Sequence, residues 1–345
     1  MASGSSKAVV AAICANSILT VVKFVGFLIS GSASMLSEAI HSFSDSANQG
    51  LLLLGIRRSH KGPTESHPYG HGRERYVWGL ISAVGIFFLG CGLTLYHGVH
   101  GLMHPSSPDN IGIALSIFLF AAVLEGWTLV VAIREIKIAA EADGMSFREY
   151  IREGSDPMAV AVLLEDGAAE LGVILAACCL GMTQVTGDPR WDAAGSIVVG
   201  VILGSVAIFL MFRCSDMLIG KAAPEADQTR LKKVLDESAL VESATGMKAT
   251  VQGADSIRFK VEVDFSGEEL ARRYVDELAA TKPDTLARWE KLCGSQEALL
   301  GFLAEYSEDL MRFLGTEVDE LERKIRLAVP KAAHIDIEVD AGPSD

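Results

Sequence analysis

No two cysteines stand at metal-binding or redox spacing in this chain, which removes one class of chemistry at the outset. Cys14, Cys91, Cys178, Cys179 and Cys214 lie in apolar runs, and Cys293 stands alone in the polar C-terminal part. Burial as small apolar residues accounts for them, the adjacent pair Cys178 and Cys179 included, and no disulfide framework is expected. Positive charge is scarce as well: 30 Lys+Arg face 44 Asp+Glu, a formal net charge of −14. Nucleic acid requires a basic footprint, so it is not an expected partner. Met1 to Ser6 run directly into an apolar stretch, with no cleavable signal and no Arg-rich amphipathic leader. The expectation is insertion through the first membrane helix, or a targeting segment that has been removed.

What the chain has in abundance is apolar sequence, at 50% hydrophobic residues. The charge is segregated from it: residues 1–221 carry 14 Lys+Arg against 18 Asp+Glu, and residues 222–345 carry 16 against 26. A membrane part over 1–221 and an acidic soluble α/β domain over 222–345 follow. Six stretches in the first part, roughly 8–30, 34–56, 76–101, 111–135, 157–183 and 193–214, are long enough to span a bilayer. The second and fifth are the least apolar, and their polar faces are expected to meet inside the bundle. The segments after the second, fourth and sixth stretches are rich in Lys and Arg, from Arg57 and Arg58 to Arg213 and Lys221. The opposite loops hold only Arg190. Both termini are therefore expected on the cytoplasmic or equivalent matrix side.

In the soluble part Ala226 to Ala239 has helical spacing, and Lys248 to Val251 reads as a strand. Ser256 to Phe265 alternates Ile257, Phe259, Val261 and Val263 with Arg258, Lys260, Glu262 and Asp264, the period of a half-buried strand. His334 to Val339 alternates again. The charge-laced helical stretch at about 267–328, with breaks near Pro283 and Gly294, reads as an insertion into a small ferredoxin-like sheet domain with helices on one face.

The chemistry concentrates on the second and fifth stretches. Glu38, His41 and Asp45 fall at i, i+3 and i+7, one stripe of a helix. On the fifth stretch Glu165 and Asp166 are adjacent, and Glu170 lies one turn beyond Asp166. Ionisable groups in hydrocarbon are costly and mark ion paths or proton relays. Carboxylates and one imidazole from two helices suit a borderline divalent cation, with His41, Asp45, Glu165 and Asp166 as candidate ligands. Glu170 and Glu38 are further contributors, Glu38 either orienting a ligand or serving as a structural acceptor. Glu125 is a proton relay or a partner for Lys23, and Asn16 and Asn48 are expected to bridge helices. His67 and His71 flank a turn that either gathers metal or rigidly enters the third helix. His97, His100 and His104 stand near that helix's other end, and His334 is the lone histidine of the soluble part.

The run Ser34-Met35-Leu36-Ser37-Glu38-Ala39-Ile40-His41-Ser42-x-x-Asp45, with His67-Pro68-Tyr69-Gly70-His71-Gly72-Arg73, resembles the cation diffusion facilitator family of zinc transporters. Asp156-Pro157, Val162-Leu163-Leu164-Glu165-Asp166-Gly167-Ala168-Ala169, Gly144-Met145-Ser146-Phe147 and Phe259 to Phe265 are most similar to its zinc transporter 9 branch. The resemblance covers nearly the whole chain. It implies a homodimer that exports Zn2+ as transported substrate by proton-coupled antiport and alternating access, without an organic cofactor and without enzyme activity. A bacterial inner membrane or a mitochondrial membrane fits. Most of the family offers His-x-x-x-Asp on the fifth helix. Here Glu165 stands in the histidine's place and Ala169 in the aspartate's, leaving Asp166 or Glu170 as the fourth ligand. The family's His-rich loop is absent, since residues 140–155 contain no histidine. The carboxylate-rich set keeps manganese, iron and cobalt open as cargo, and a membrane metalloenzyme or a non-transporting metal sensor are the readings from other classes.

Overall fold

A computed structural model describes residues 4–30, 33–104, 111–154, 156–282, 284–285, 289 and 296–340. Within these, the side chains of residues 4–8, 27, 29–30, 33–38, 40–41, 111 and 113–114 fall outside the description. So do the expected breaks at Pro283 and Gly294, and Cys293. The chain divides into two compact units, Met1–Lys221 and Ala222–Asp345.

The first unit is built from long helices: α1 (Gly4–Ser30), α2 (Ala33–Ser59), α5 (Ile111–Ala142), α7 (Pro157–Thr186) and α8 (Arg190–Ile219). Between α2 and α5, α3 (Glu74–Gly85) continues through a π-helical stretch, Ile86–Gly92, into α4 (Leu93–Met103), so three segments make one long rod. A short α6 (Phe147–Glu153) precedes α7. Local chemistry marks the ends. Ser146 and Glu149 form a reciprocal capping box on α6. Asp156 caps α7 through the Met158 and Ala159 amides with Pro157 in the first turn, and Gly187 closes it at φ +70°.

The long helices pack as a closed ring in the order α1, α2, α3 with α4, α8, α7, α5 and back to α1. Val9, Leu52, Ala83, Ile136, Val160 and Leu210 are among the buried residues that fill it. The outer surface is apolar too: Val21, Leu28, Phe88, Leu119, Val123 and Phe212 are each more than 60% exposed. Large apolar side chains all round a helix ring suit a hydrocarbon solvent, not water. Four segments are long and apolar enough to cross a membrane: Val9–Gly26, Glu74–Met103, Leu115–Ala142 and Arg190–Ile219. The expected second and fifth spans, α2 and α7, are as long but are not among these four.

Small residues set how closely α4 meets α8. A Cβ on Gly98 would lie 2.6 Å from Ile197 Cγ1 and 3.0 Å from the Ala193 carbonyl oxygen. The second contact is backbone and cannot swing aside, so Gly98→Ala must part the helices. It is expected to destabilise the protein by about 1–3 kcal/mol, measured as lowered thermal stability in detergent. Wild-type stability in that variant would mean that this contact is looser than described.

The second unit orders a three-stranded sheet as β1-β2-β3 (Val241–Gly253, Ser256–Phe265, Ala332–Val339), with β1 and β2 antiparallel and β2 and β3 parallel. Ile257, Phe259, Val261 and Val263 are all buried, and their core includes Leu231 and Leu235 of α9 (Glu225–Asp236). On the other face Arg258 pairs with Asp336 and Lys260 with Glu338, at 2.8 and 2.7 Å. β1 is longer than the expected Lys248 to Val251 because its polar first half pairs by backbone alone, with bulges, and needs no apolar alternation. Between β2 and β3 run α10 (Gly267–Thr281) and α11 (Gln296–Ala328). Arg273 of α10 reaches Glu317 of α11 at 2.7 Å, and Tyr274, Trp289, Phe302, Tyr306 and Phe313 cluster between them. Leu321 and Ile325, toward the end of α11 and within the stretch expected as an insertion over 267–328, belong to the sheet core. One continuous helix serves both structures, and no break in the sequence separates them.

Candidate metal site

Three acids at the middle of the ring come from α2 and α7: Asp45 from the first, Glu165 and Asp166 from the second. Asp45 lies midway along α2 and faces both Glu165 and Asp166 closely enough for their charges to interact. Glu165 and Asp166 are each only 5% exposed. One oxygen of each is held by an amide from α2. Asn48 Nδ2 donates to Glu165 Oε1 at 2.9 Å, and Gln49 Nε2 donates to Asp166 Oδ1 at 3.5 Å. Among the described residues, the other oxygens, Glu165 Oε2 and Asp166 Oδ2, are buried with no hydrogen-bond partner. An orphaned buried carboxylate oxygen is expensive and calls for a proton or a cation.

The amides are fixed in turn. Ser82 on α3 donates to Asn48 Oδ1 at 2.7 Å, and Asn16 on α1 donates to Gln49 Oε1 at 3.2 Å. A polar network thus ties α1, α2, α3 and α7 across an otherwise apolar bundle, and it orients the carboxylates as an outer shell orients ligands. Asn16 and Asn48 bridge helices as their positions implied. Gln49 is the residue that sequence reasoning missed. It lies one turn beyond Asp45 on the same stripe, and that spacing is the signal that marks it.

Beside the carboxylates is a cavity of about 360 Å³, lined by Lys23, Asp45 and Glu125 at one end and by His97 and Asp192 at the other. Leu89 and Leu93, in and just after the π-helical stretch, form part of its wall. Its lining reaches His97 on α4 and Asp192 in the first turn of α8, at the opposite end of α8 from the Arg- and Lys-bearing segment that follows it.

The other expected contributors are placed as follows. Glu170 lies one turn past Asp166 with its carboxylate against Gly126 of α5, and its Oε2 has no partner. His41 and Glu38 lie on α2, but their side chains are outside the described residues. Among the described residues no three His, Cys, Asp and Glu side chains converge as a ready metal cage. In the HPYGHGR turn the His67 and His71 rings sit 4.4 Å apart, and His71 Nε2 stands 4.0 Å from Glu74. His100 and His104 stack at 4.7 Å at the far end of α4. His334 is on β3 of the second unit, opposite Arg258.

Near the start of α7 lies a second buried charge cluster. Arg75 of α3 pairs with Asp156 at 3.3 Å, both nearly inaccessible, while Arg213 of α8 donates to the Gly154 carbonyl at 2.7 Å. This cluster joins α3 and α8 to the entry of α7.

Comparison with known proteins points the same way. The cation efflux transmembrane domain matches residues 9–219. The human protein named proton-coupled zinc antiporter SLC30A9, mitochondrial, is 42% identical over 97% of this chain and 59% of its own length. Metal tolerance protein C4 of Arabidopsis thaliana is 40% identical over 97% of this chain and 73% of its own. The cation-efflux pump FieF of Shewanella oneidensis is 24% identical over 71% of this chain. The chain spans somewhat under two thirds of the length of the human relative. A helix ring with carboxylates at its centre, and these matches over nearly all of the sequence, together establish that this chain belongs to the cation efflux family.

Proposed function

We propose that this protein is a proton-coupled exporter of divalent metal with zinc as its cargo. The observation that carries this reading is that Asp45 of α2 stands within electrostatic range of both Glu165 and Asp166 of α7, whose buried second oxygens lack a hydrogen-bond partner among the described residues. His41 stands one turn from Asp45 on the same helix and completes the ligand set, Asp166 being preferred to Glu170 because it faces Asp45. α2 and α7 cross the bilayer with the other four helices, their charges shielded inside the ring, which makes six spans. The soluble unit, a hairpin plus a parallel crossover strand, reads as a ferredoxin-like fold short of its first strand, and it pairs two copies into a homodimer.

The chemistry follows from the ligand types. Carboxylates and imidazole bind a metal only when deprotonated, so metal and protons compete for the same atoms and are exchanged. Metal enters from the side of the Arg-rich segments, cytoplasmic or matrix by the positive-inside rule. The cavity lies on the opposite side of the carboxylates, which supports reading this conformation as the one that faces release.

The test is zinc uptake into proteoliposomes under an imposed pH gradient, with manganese, iron and cobalt as competitors. Uptake should collapse when the gradient is dissipated, and zinc should outcompete the others. Uptake indifferent to the gradient would refute the coupling, and suppression by manganese, iron or cobalt at lower concentration than zinc would reassign the cargo.

A further inference from the structure

Lys23 is a cation built into the interior of the candidate metal bundle. It lies within α1, is only 2% exposed, and donates from Nζ to the Ser42 hydroxyl on α2 at 2.9 Å. Lysine is almost never so deeply buried unless its charge is matched, and a charge in the middle of a membrane bundle is costlier still. A serine hydroxyl satisfies one N–H but neutralises nothing. The groups that answer the charge are the acids lining the same cavity, Asp45 from α2 and Glu125 from α5, with Glu165 and Asp166 just beyond Asp45. An ammonium and a divalent ion close to the same carboxylates repel one another strongly where water is excluded.

We propose that Lys23 is the resident cation of this cavity: its ammonium balances the carboxylates when no metal is bound and holds the metal affinity low enough for release. This rests on the reading of Asp45, Glu165 and Asp166 as the metal site. Lys23 is a positioning residue in this scheme, with Ser42 fixing where its charge stands. Without it the empty bundle holds uncompensated negative charge, and a bound divalent ion is held too tightly to leave.

The experiment compares zinc binding at equilibrium, by titration calorimetry on the purified full chain in lipid nanodiscs, with zinc flux in proteoliposomes. Wild type, Lys23→Met, Lys23→Gln and Lys23→Arg are measured side by side. The neutral variants are expected to bind zinc roughly tenfold or more tighter, with KM for flux lowered in parallel and kcat reduced. Lys23→Arg, which keeps the charge, should stay near wild type. Unchanged or weaker zinc binding in folded neutral variants overturns the proposal. So does failure of both neutral variants to fold while Lys23→Arg folds, since Lys23 would then only tether α1 to α2. Wild-type protein that binds zinc without carrying it would instead refute the transport reading, and the affinity comparison would still decide the role of Lys23.

Discussion

Replacing Asp45 by asparagine is expected to lower zinc uptake in proteoliposomes by at least about a hundredfold in kcat/KM, because loss of a ligand exceeds the 10–100-fold effect of losing a ligand's supporting contact. Asparagine keeps the shape of the side chain and removes only the charge and one acceptor. Asp45 lines the cavity and faces Glu165 and Asp166, so any metal passing between α2 and α7 passes it. Glu165→Gln should have a comparable effect, since Glu165 Oε2 is a buried acceptor without a partner among the described residues and an amide nitrogen in its place presents a donor to the metal. His41→Ala, on the same stripe of α2, should also abolish uptake while leaving folding intact. Thermal unfolding provides the control, with Asp45→Asn and Glu165→Gln expected within about 1 kcal/mol of wild type, as an isosteric amide keeps the packing and relieves repulsion among the acids. Undiminished, gradient-driven uptake in Asp45→Asn would remove the site from α2.

Asp156→Ala should instead damage the fold. Arg75 is 3% exposed and Asp156 7%, and the carboxylate both pairs with the guanidinium and caps α7 through the Met158 and Ala159 amides. Removing one partner of a buried ion pair costs about 3–5 kcal/mol, because the remaining charge is left uncompensated. Loss of the cap adds about 1 kcal/mol. A loss of that size is a large part of the stability of a typical domain, so the variant is expected to be poorly folded or strongly shifted in Tm. The double variant Arg75→Met with Asp156→Ala should recover most of the loss, leaving chiefly the cap. If the single and double variants unfold together, the stranded charge of Arg75 is not the cause.

Much of this protein was legible from one dimension. The stripe of Glu38, His41 and Asp45, the cluster of Glu165, Asp166 and Glu170, and the alternation of Ile257, Phe259, Val261 and Val263 are periodicities. A period assigns each side chain to a face of its own helix or strand, because backbone geometry is local. The concentration of acids on α2 and α7 also followed, since hydrocarbon tolerates charge only where the chain has a use for it. What a period cannot state is which element a face meets, or how far that element is rotated. That Asn48 and Gln49 each hold one oxygen of a carboxylate on α7, some 117 residues away, depends on how the six rods close into a ring. The same packing turns Asp166 toward Asp45 and Glu170 toward Gly126, although the two differ by only one turn of one helix. It also carries Lys23 into the acidic cavity, and lets the end of α11 join a sheet whose core its own charge pattern does not announce. Local propensity and spacing are properties of the chain, so the sequence by itself determined the elements and their chemically active faces. Partnership between faces is decided by close packing among distant segments, and only the tertiary structure supplied it.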